Sequence, residues 1–196
     1  AGWVGVPFAA TFPVSTNTAV VGTTWSTGNV LLYPAGGPVN AAMGANWNPI
    51  GGVTTFGNDY LMASTDSGGY IGIYNPDGSV VTNSANWGTF GPQVGLSNGD
   101  AMAVTTHSGG TFVRFDDNTQ TLVSAGSYTG TIVDMISLAS GYAIAGNDSG
   151  VLYFWDGSSF FTDDNGGSGW GNFEMFVDLD NGDALVGSDL NGGSLL

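Results

Sequence analysis

Apolar residues along this chain fall in short runs separated by polar, glycine-bearing turns, and no window sustains the 3.6-residue period of a helix. In Phe173-Glu-Met-Phe-Val-Asp-Leu179, residues 173, 175, 177 and 179 are apolar while 174 and 178 are acidic. That alternation predicts a strand with one face on a core. Ala101-Met-Ala-Val104 is apolar and small on both faces, which predicts a strand covered on both sides. Asn98-Gly99 and Asn181-Gly182 separate strands of these two kinds and predict two-residue type I′ hairpins, since both residue types tolerate positive φ. Turns such as Asn75-Pro-Asp-Gly78 and Asp156-Gly157 lead to a weaker last strand, of which Gln120–Ser124 is one example.

These runs repeat. Thr18–Gly22, Asp59–Ala63, Asp100–Val104, Tyr142–Gly146 and Asp183–Gly187 recur at spacings of 41, 41, 42 and 41 residues. A Gly-bearing turn follows each, then an apolar run ending in Tyr33, Tyr74, Phe115 or Trp155 in the four complete copies. A second aromatic opens the units at Trp47, Trp87, Tyr128 and Trp170. A four-strand antiparallel meander repeated at about 40–45 residues is the signature of a β-propeller blade. The expected fold is therefore all-β, a single propeller domain with units near 1–46, 47–86, 87–127, 128–169 and 170–196. The last unit stops at Ser194-Leu-Leu196, inside its expected third strand. A truncated chain or further blades beyond 196 are expected, the alternative being that residues 1–15 complete the last blade.

Composition narrows function more than fold. Charged residues are 9% of the 196, with one Arg and no Lys against 16 acidic residues, for a net charge of −15. One cation excludes nucleic-acid binding and attraction to anionic membranes, and also Schiff-base and phosphate-loop chemistry. Zero Cys excludes a disulfide framework, a thiol nucleophile and Cys-ligated zinc. No apolar run approaches the ~18 residues that predict a membrane-spanning helix, so no membrane insertion is expected. A chain that starts at Ala1, lacks Lys and is rich in Gly, Thr, Asn and Ser is expected outside a cell, on its surface or on a virion.

The segment Gly169-Trp-Gly-Asn-Phe-Glu-Met-Phe-Val-Asp-Leu-Asp-Asn-Gly-Asp-Ala-Leu-Val186 resembles the repeat of tachylectin-type five-bladed propellers. Trp87-Gly-Thr-Phe90 with Asn98-Gly-Asp100 repeats the pattern more loosely, and Gly150-Val-Leu-Tyr-Phe-Trp155 is similar to the Gly-x-Leu-Tyr-x-Tyr strand of bacterial relatives. The resemblance implies a lectin that holds amino sugars at equivalent sites between blades. Trp47 lacks the following Phe and Tyr128 replaces Trp, which departs from that equivalence. Ser64-Thr-Asp-Ser-Gly68 matches the sialidase Asp-box, a turn-stabilising element.

Sugar recognition takes an aromatic face for the apolar side of a pyranose and polar groups for its hydroxyls. Asn46, Trp47, Asn86, Trp87, Tyr128, Trp170 and Asn172 supply these types at the unit starts and are the candidate ligand contacts. The competing reading makes the same aromatics wedges between blades. Asp178, Asp180 and Asp183 place three carboxylates around one turn, with Asp163-Asp164 as a further acidic pair, and Ca²⁺ is the candidate ion. A solvated hairpin turn is the alternative there. His107, the only His, sits in a turn without a partner pattern, and adjacent pairs such as Asp116-Asp117 point to opposite strand faces. Arg114 interrupts an apolar strand within reach of Asp116, and Asn147-Asp-Ser149 is a glycosylation sequon. The expected function is non-catalytic recognition of glycans or surface proteins. A structural propeller that self-assembles or packs on partner subunits is the second reading, and an Asp-dependent glycoside hydrolase the third.

Overall fold

The structure, a computed structural model, describes residues 8–15, 18–23, 30–33, 39–41, 50–65, 68–162, 170–179, 182–189 and 193–195. Among these residues every regular element is a strand, apart from two single 3-10 turns, His107–Gly109 and Ala139–Gly141. The chain divides into two compact units, residues 1–90 and 91–196.

The first unit holds two antiparallel meanders. One orders β1 (Phe8–Ser15), β2 (Thr18–Thr23), β3 (Val30–Tyr33) and β4 (Val39–Ala41) side by side. The other orders β5 (Ile50–Phe56), β6 (Tyr60–Thr65), β7 (Ile71–Tyr74) and β8 (Val80–Ser84). In the second unit β9 (Phe90–Gly95), β10 (Ala101–Thr105), β11 (Thr111–Asp116) and β12 (Thr121–Ser127) form a third sheet. β13 (Ile132–Ser137), β14 (Ala143–Asn147), β15 (Leu152–Trp155) and β16 (Phe160–Thr162) form a fourth. The fifth has three strands among the described residues, β17 (Phe173–Asp178), β18 (Ala184–Ser188) and β19 (Ser194–Leu195). Residues 8–15 open the first sheet by pairing with β2, so this stretch is an opening strand and does not complete the fifth sheet.

Among the described side chains, every residue of β10 and of β14 is buried, as their two-sided apolar pattern predicts. Between the third and fourth sheets lies a cluster that includes Met102, Phe112, Tyr128, Tyr153 and Trp155. The Phe112 and Phe160 rings stack there at 3.8 Å. Between the fourth and fifth sheets Ile144, Leu152, Phe173, Phe176 and Val186 form another.

Two local expectations are corrected. The alternation read into residues 173–179 does not run through, because β17 carries a β-bulge between Phe173 and Met175. The extra residue reverses which parity faces inward. Phe173 and Phe176 are therefore buried, whereas Met175, Val177 and Leu179 are 41%, 39% and 47% exposed. The same irregularity opens β1, β5 and β13, at Phe8/Ala10, Ile50/Gly52 and Ile132/Asp134. The expected two-residue I′ turn at Asn98-Gly99 is instead a three-residue loop. Leu96 N–H donates to Asp100 C=O at 2.8 Å, and only Gly99 takes a positive φ, +96°. Residues 138–142 and 179–183 close with the same bond, at 2.8 and 3.1 Å.

Backbone bonds tie the turn after the second strand to the residue that opens the next unit at two described junctions. Trp87 N–H donates to Gly69 C=O at 3.1 Å, and Tyr128 N–H to Gly110 C=O at 3.2 Å. Only glycine fits these turns: φ is +136° at Gly110, where a Cβ would lie 2.6 Å from Tyr128 O. At Gly150, with φ of +76°, a Cβ would lie 2.7 Å from Trp170 N. Within a unit, Asp148 N–H donates to Thr131 C=O at 2.9 Å and Thr131 N–H returns to Asp148 Oδ1 at 3.0 Å, which extends the pairing of β13 with β14. Asp189 and Asn172 repeat it one unit later.

Close packing between the fourth and fifth sheets rests on Gly146, where an added Cβ would strike the Phe176 ring and come within 2.6 Å of Phe173 Cδ2. Gly146→Ala is expected to cost about 1–3 kcal/mol by overpacking. In a double-mutant cycle with Phe176→Leu, urea denaturation should show a favourable coupling, because the smaller side chain makes room for the methyl. Strictly additive costs would show that the ring does not sit on the glycine.

Candidate functional site

Of the aromatics at the unit starts, Tyr128 is built into a buried cluster. Tyr128 is 7% exposed, its hydroxyl donates to Thr105 C=O at 2.7 Å, and its ring meets Phe112 at 5.2 Å. Burial, and then the neighbouring Tyr153, push its phenol pKa up. Trp87 and Trp170 are half-buried, Trp170 against the Phe173–Phe176 cluster. Asn86 is exposed with a left-handed backbone, φ +70°. Asn172 is engaged by Asp189, its Nδ2 donating to Oδ2 at 2.8 Å. Asn46 and Trp47 lie outside the described residues. Within residues 91–196, Tyr128 and Trp170 belong to two different clusters.

Of the acidic candidates, Asp178 ends β17 and Asp183 closes the following loop, both exposed, while Asp180, Asp163 and Asp164 lie outside the described residues. Among the described residues no three His, Asp or Glu side chains converge on a point that would hold a metal ion. The one Arg is spent internally. Arg114 Nε bonds Asp100 Oδ2 at 2.9 Å and Nη2 bonds Asp116 Oδ2 at 2.7 Å, with the guanidinium 5.5 Å from the Trp155 ring centre. The sequence points to Asp116, two residues along the same strand. Asp100 lies just before β10, on which Met102 is the register partner of Arg114, so the pattern along β11 does not point to it. Asp100 is 2% exposed and also accepts from Asp117 N–H at 2.9 Å, so its carboxylate is buried, paired and bonded. His107 is an exposed turn residue.

A different set of side chains forms a concavity, on the fourth sheet. In β15 and β16, Trp155 pairs with Phe160 and Phe154 with Phe161. Successive strand residues face opposite ways, so Trp155 and Phe160 go to the cluster shared with the third sheet and Phe154 and Phe161 to the other face. There the Phe154 and Phe161 rings stack at 5.6 Å, with 19° between planes. Leu138, Tyr142, Ala143, Trp155 and Asp156 complete a slot of about 180 Å³. Tyr142 is 46% and Phe161 51% exposed, so two aromatic faces stand open to solvent. The same face continues into a hollow of about 420 Å³ against the fifth sheet, sharing Leu138 and Phe154 and carrying Asp183 on its far wall.

Asp156 is the slot's carboxylate. Its Oδ1 accepts from Ser159 N–H at 2.9 Å, Ser158 N–H at 2.9 Å and Ser158 Oγ at 2.8 Å. These donors hold its pKa below the usual carboxylate range and leave Oδ2 out of the turn's bonding. Trp155 Nε1 is buried without a hydrogen-bond partner, a donor whose desolvation costs about 1–3 kcal/mol while unmet. Sequence reasoning passed over Tyr142, Phe154 and Phe161. A signal for them was present: Tyr142 stands where three of the other four units carry Asp, and Phe154 where two carry Leu or Ile.

No family model and no curated protein matches the chain. Solved structures do. The computationally designed Ika8 protein superposes on 97% of this chain with a TM-score of 0.66 and 10% identity. The designed Ika4 protein superposes on 77% of this chain and 91% of its own, with a TM-score of 0.58 and 12% identity. This chain spans 58% of the length of Ika8. At such identities the likeness is one of fold: the chain is an all-β protein of repeated four-stranded antiparallel sheets, of the β-propeller class.

Two outcomes test these assignments. Tyr128→Phe removes the bond to Thr105 and should cost about 0.5–1.5 kcal/mol, read as a lower urea midpoint at constant slope. An unchanged midpoint would take Tyr128 out of the core. Asp148 has a pKa lowered by the Thr131 amide, then by the Thr131 side chain. A depressed native pKa stabilises fully above the unfolded value of about 3.9, and that stabilisation is lost as pH falls through the native value. The stability gap between the protein and Asp148→Asn should therefore be widest near neutrality and close in acid. A gap of constant size from pH 7 to pH 2.5 contradicts the tie.

Proposed function

We propose that the protein is a non-catalytic recognition module that binds neutral glycans through the Tyr142–Phe154–Phe161–Asp156 slot, displayed outside a cell or on a virion. The observation that carries this reading is the pair of solvent-open aromatic faces beside an ionised carboxylate with one oxygen left over. A pyranose presents an apolar C–H face for Tyr142 or Phe161 and a hydroxyl for Asp156 Oδ2. The net charge of −15 argues against acidic glycans. The resemblance of residues 169–186 to the tachylectin-type repeat supports the lectin class, and the aromatic slot moves the contact from the unit starts to the fourth sheet. A non-catalytic role is supported by the state of Asp100 and Asp116, which share Arg114 and do not face each other across an open cleft.

A glycan array run in calcium and again in EDTA tests the reading. Saturable binding to neutral glycans is expected, with Phe161→Ala weakening it about tenfold by removing one stacking ring. Trp87→Phe and Trp170→Phe should leave affinity unchanged. An array silent under both conditions, or affinity that follows the tryptophans and ignores Phe161, removes the slot from consideration. Loss of binding in EDTA would bring the Asp178–Asp183 loop back as a calcium site.

A second reading, a structural module that assembles through protein contacts, is favoured by a separate observation. Met175, Val177 and Leu179 make a bare apolar row on β17.

A further inference from the structure

We infer that the aromatic slot on the fourth sheet is a seat for a guanidinium group, presented as an arginine side chain by a basic protein partner. The inference goes beyond the glycan reading: it uses the same slot and does not depend on sugars being its ligand.

Strand register aligns the slot with the place on the third sheet where the chain's own arginine sits. On β10 and β11, Ala101 pairs with Phe115 and Met102 with Arg114. On β14 and β15, Ala143 pairs with Trp155 and Ile144 with Phe154. Phe154 therefore stands where the third sheet has Arg114, Asp156 where it has Asp116, and Tyr142 where it has Asp100. On the outer strands Phe161 stands where the third sheet has Val123, since these are the register partners of Phe154 and Arg114.

The two aspartates make the same turn. Asp116 Oδ1 accepts from Asn118 N–H at 3.0 Å and from Thr119 N–H at 3.3 Å, two and three residues on. Asp156 Oδ1 accepts from Ser158 and Ser159 N–H, both at 2.9 Å. In each turn Oδ2 is the oxygen left for a cation. On the third sheet it has one, because Arg114 Nη2 bonds Asp116 Oδ2 at 2.7 Å. The fourth sheet keeps the carboxylate and carries a phenylalanine in place of the arginine, and the chain has no Lys and no second Arg to put there.

The residues that replace Arg114 and Asp100 suit an arginine from outside. A guanidinium is planar and weakly hydrated, and it stacks on aromatic faces. The third sheet already shows such a contact, with the Arg114 guanidinium 5.5 Å from the Trp155 ring centre. In the slot the Phe154 and Phe161 rings lie 19° from parallel, and Tyr142 and Phe161 offer open faces beside Asp156. Every residue lining the slot falls between 138 and 161, on one sheet. Amides of Ser159 and then Ser158 keep the Asp156 carboxylate ionised. The net charge of −15 draws a basic partner toward the surface. An ammonium fits less well, being compact, strongly hydrated and without the flat face that the rings accept.

Titration of the protein with the blocked peptide Gly-Gly-Arg-Gly-Gly, followed by backbone amide NMR shifts, tests the seat. Saturable shifts at Tyr142, Asp156 and Phe161 are expected, weakening as salt is added. The same peptide with uncharged citrulline in place of arginine should bind about tenfold more weakly. Asp156→Asn keeps Oδ1 for the Ser158 and Ser159 amides and removes the charge, so the turn survives while arginine affinity falls about tenfold. Phe161→Ala should lower it about threefold by removing a stacking face. Citrulline or lysine peptides that bind as well as the arginine peptide overturn the guanidinium assignment, as does arginine binding that ignores Asp156→Asn. No saturable shift overturns the seat, and glycan-array hits that depend on Phe161 would then leave the glycan reading standing. Saturable arginine binding with a silent array does the reverse.

Discussion

A backbone hydrogen bond between one sheet and the start of the next unit sets the geometry of everything else here. Trp87 N–H reaches Gly69 C=O and Tyr128 N–H reaches Gly110 C=O, at 3.1 and 3.2 Å. Neither bond depends on side-chain chemistry, but both require turns that bring two backbones into contact, and a Cβ at Gly69 or Gly110 would overlap the partner strand. Net worth per bond is modest, about 0.5–1.5 kcal/mol. Its larger consequence is positional. β14 is held between two neighbouring sheets: Ala143 and Ala145 belong to the cluster shared with the third, and Ile144 to the cluster shared with the fifth.

The bulge on the opening strand then decides what each sheet shows to its neighbours. An unbroken β17 would have put Phe173, Met175 and Val177 on one face and Phe176 on the other. With the extra residue, two phenylalanines face the fourth sheet and the methionine and valine are left outside. The close approach of two rings to Gly146 follows from this one irregularity. Glycine opposite Phe173 and Phe176, and valine in one cluster with Ile132 and Met135, are volume-matched solutions of a single packing problem.

The architecture was legible because it is periodic, and the candidate site was not because it breaks the period. Five apolar runs at 41- or 42-residue spacing identify the meander without help from any one residue. Tyr128, one of the aromatics at the unit starts, wedges between the third and fourth sheets. Tyr142 and Phe161 have no such structural duty, and their exposure follows from strand parity that pairing reveals and periodicity alone does not. The bulge was invisible for a related reason. Apolar residues at 173, 175, 176, 177 and 179 satisfy either register, and the choice is made by the sheet into which β17 docks. The Asn-Gly turns mislead similarly, since a positive φ at Gly99 alone suits a loop one residue longer.

Departures from the repeat also explain how the chain handles charge. Arg114 occupies a position that is Leu32, Ile73 or Phe154 in other units, and it comes with Asp116 beside it and Asp100 just before the neighbouring strand. Removing a lone buried carboxylate from water costs several kcal/mol, so Asp100 is tenable on β10's threshold only with the guanidinium and the Asp117 amide against it. Other acids, Asp77, Asp148 and Asp156, are held ionised by turn amides and hydroxyls at the surface, with no cation used. A single Arg therefore suffices for a chain of −15, and the uncompensated remainder covers its surface. That field keeps copies apart at low salt and disfavours acidic ligands. It leaves apolar contact as the attractive force for a neutral ligand in the proposed aromatic slot.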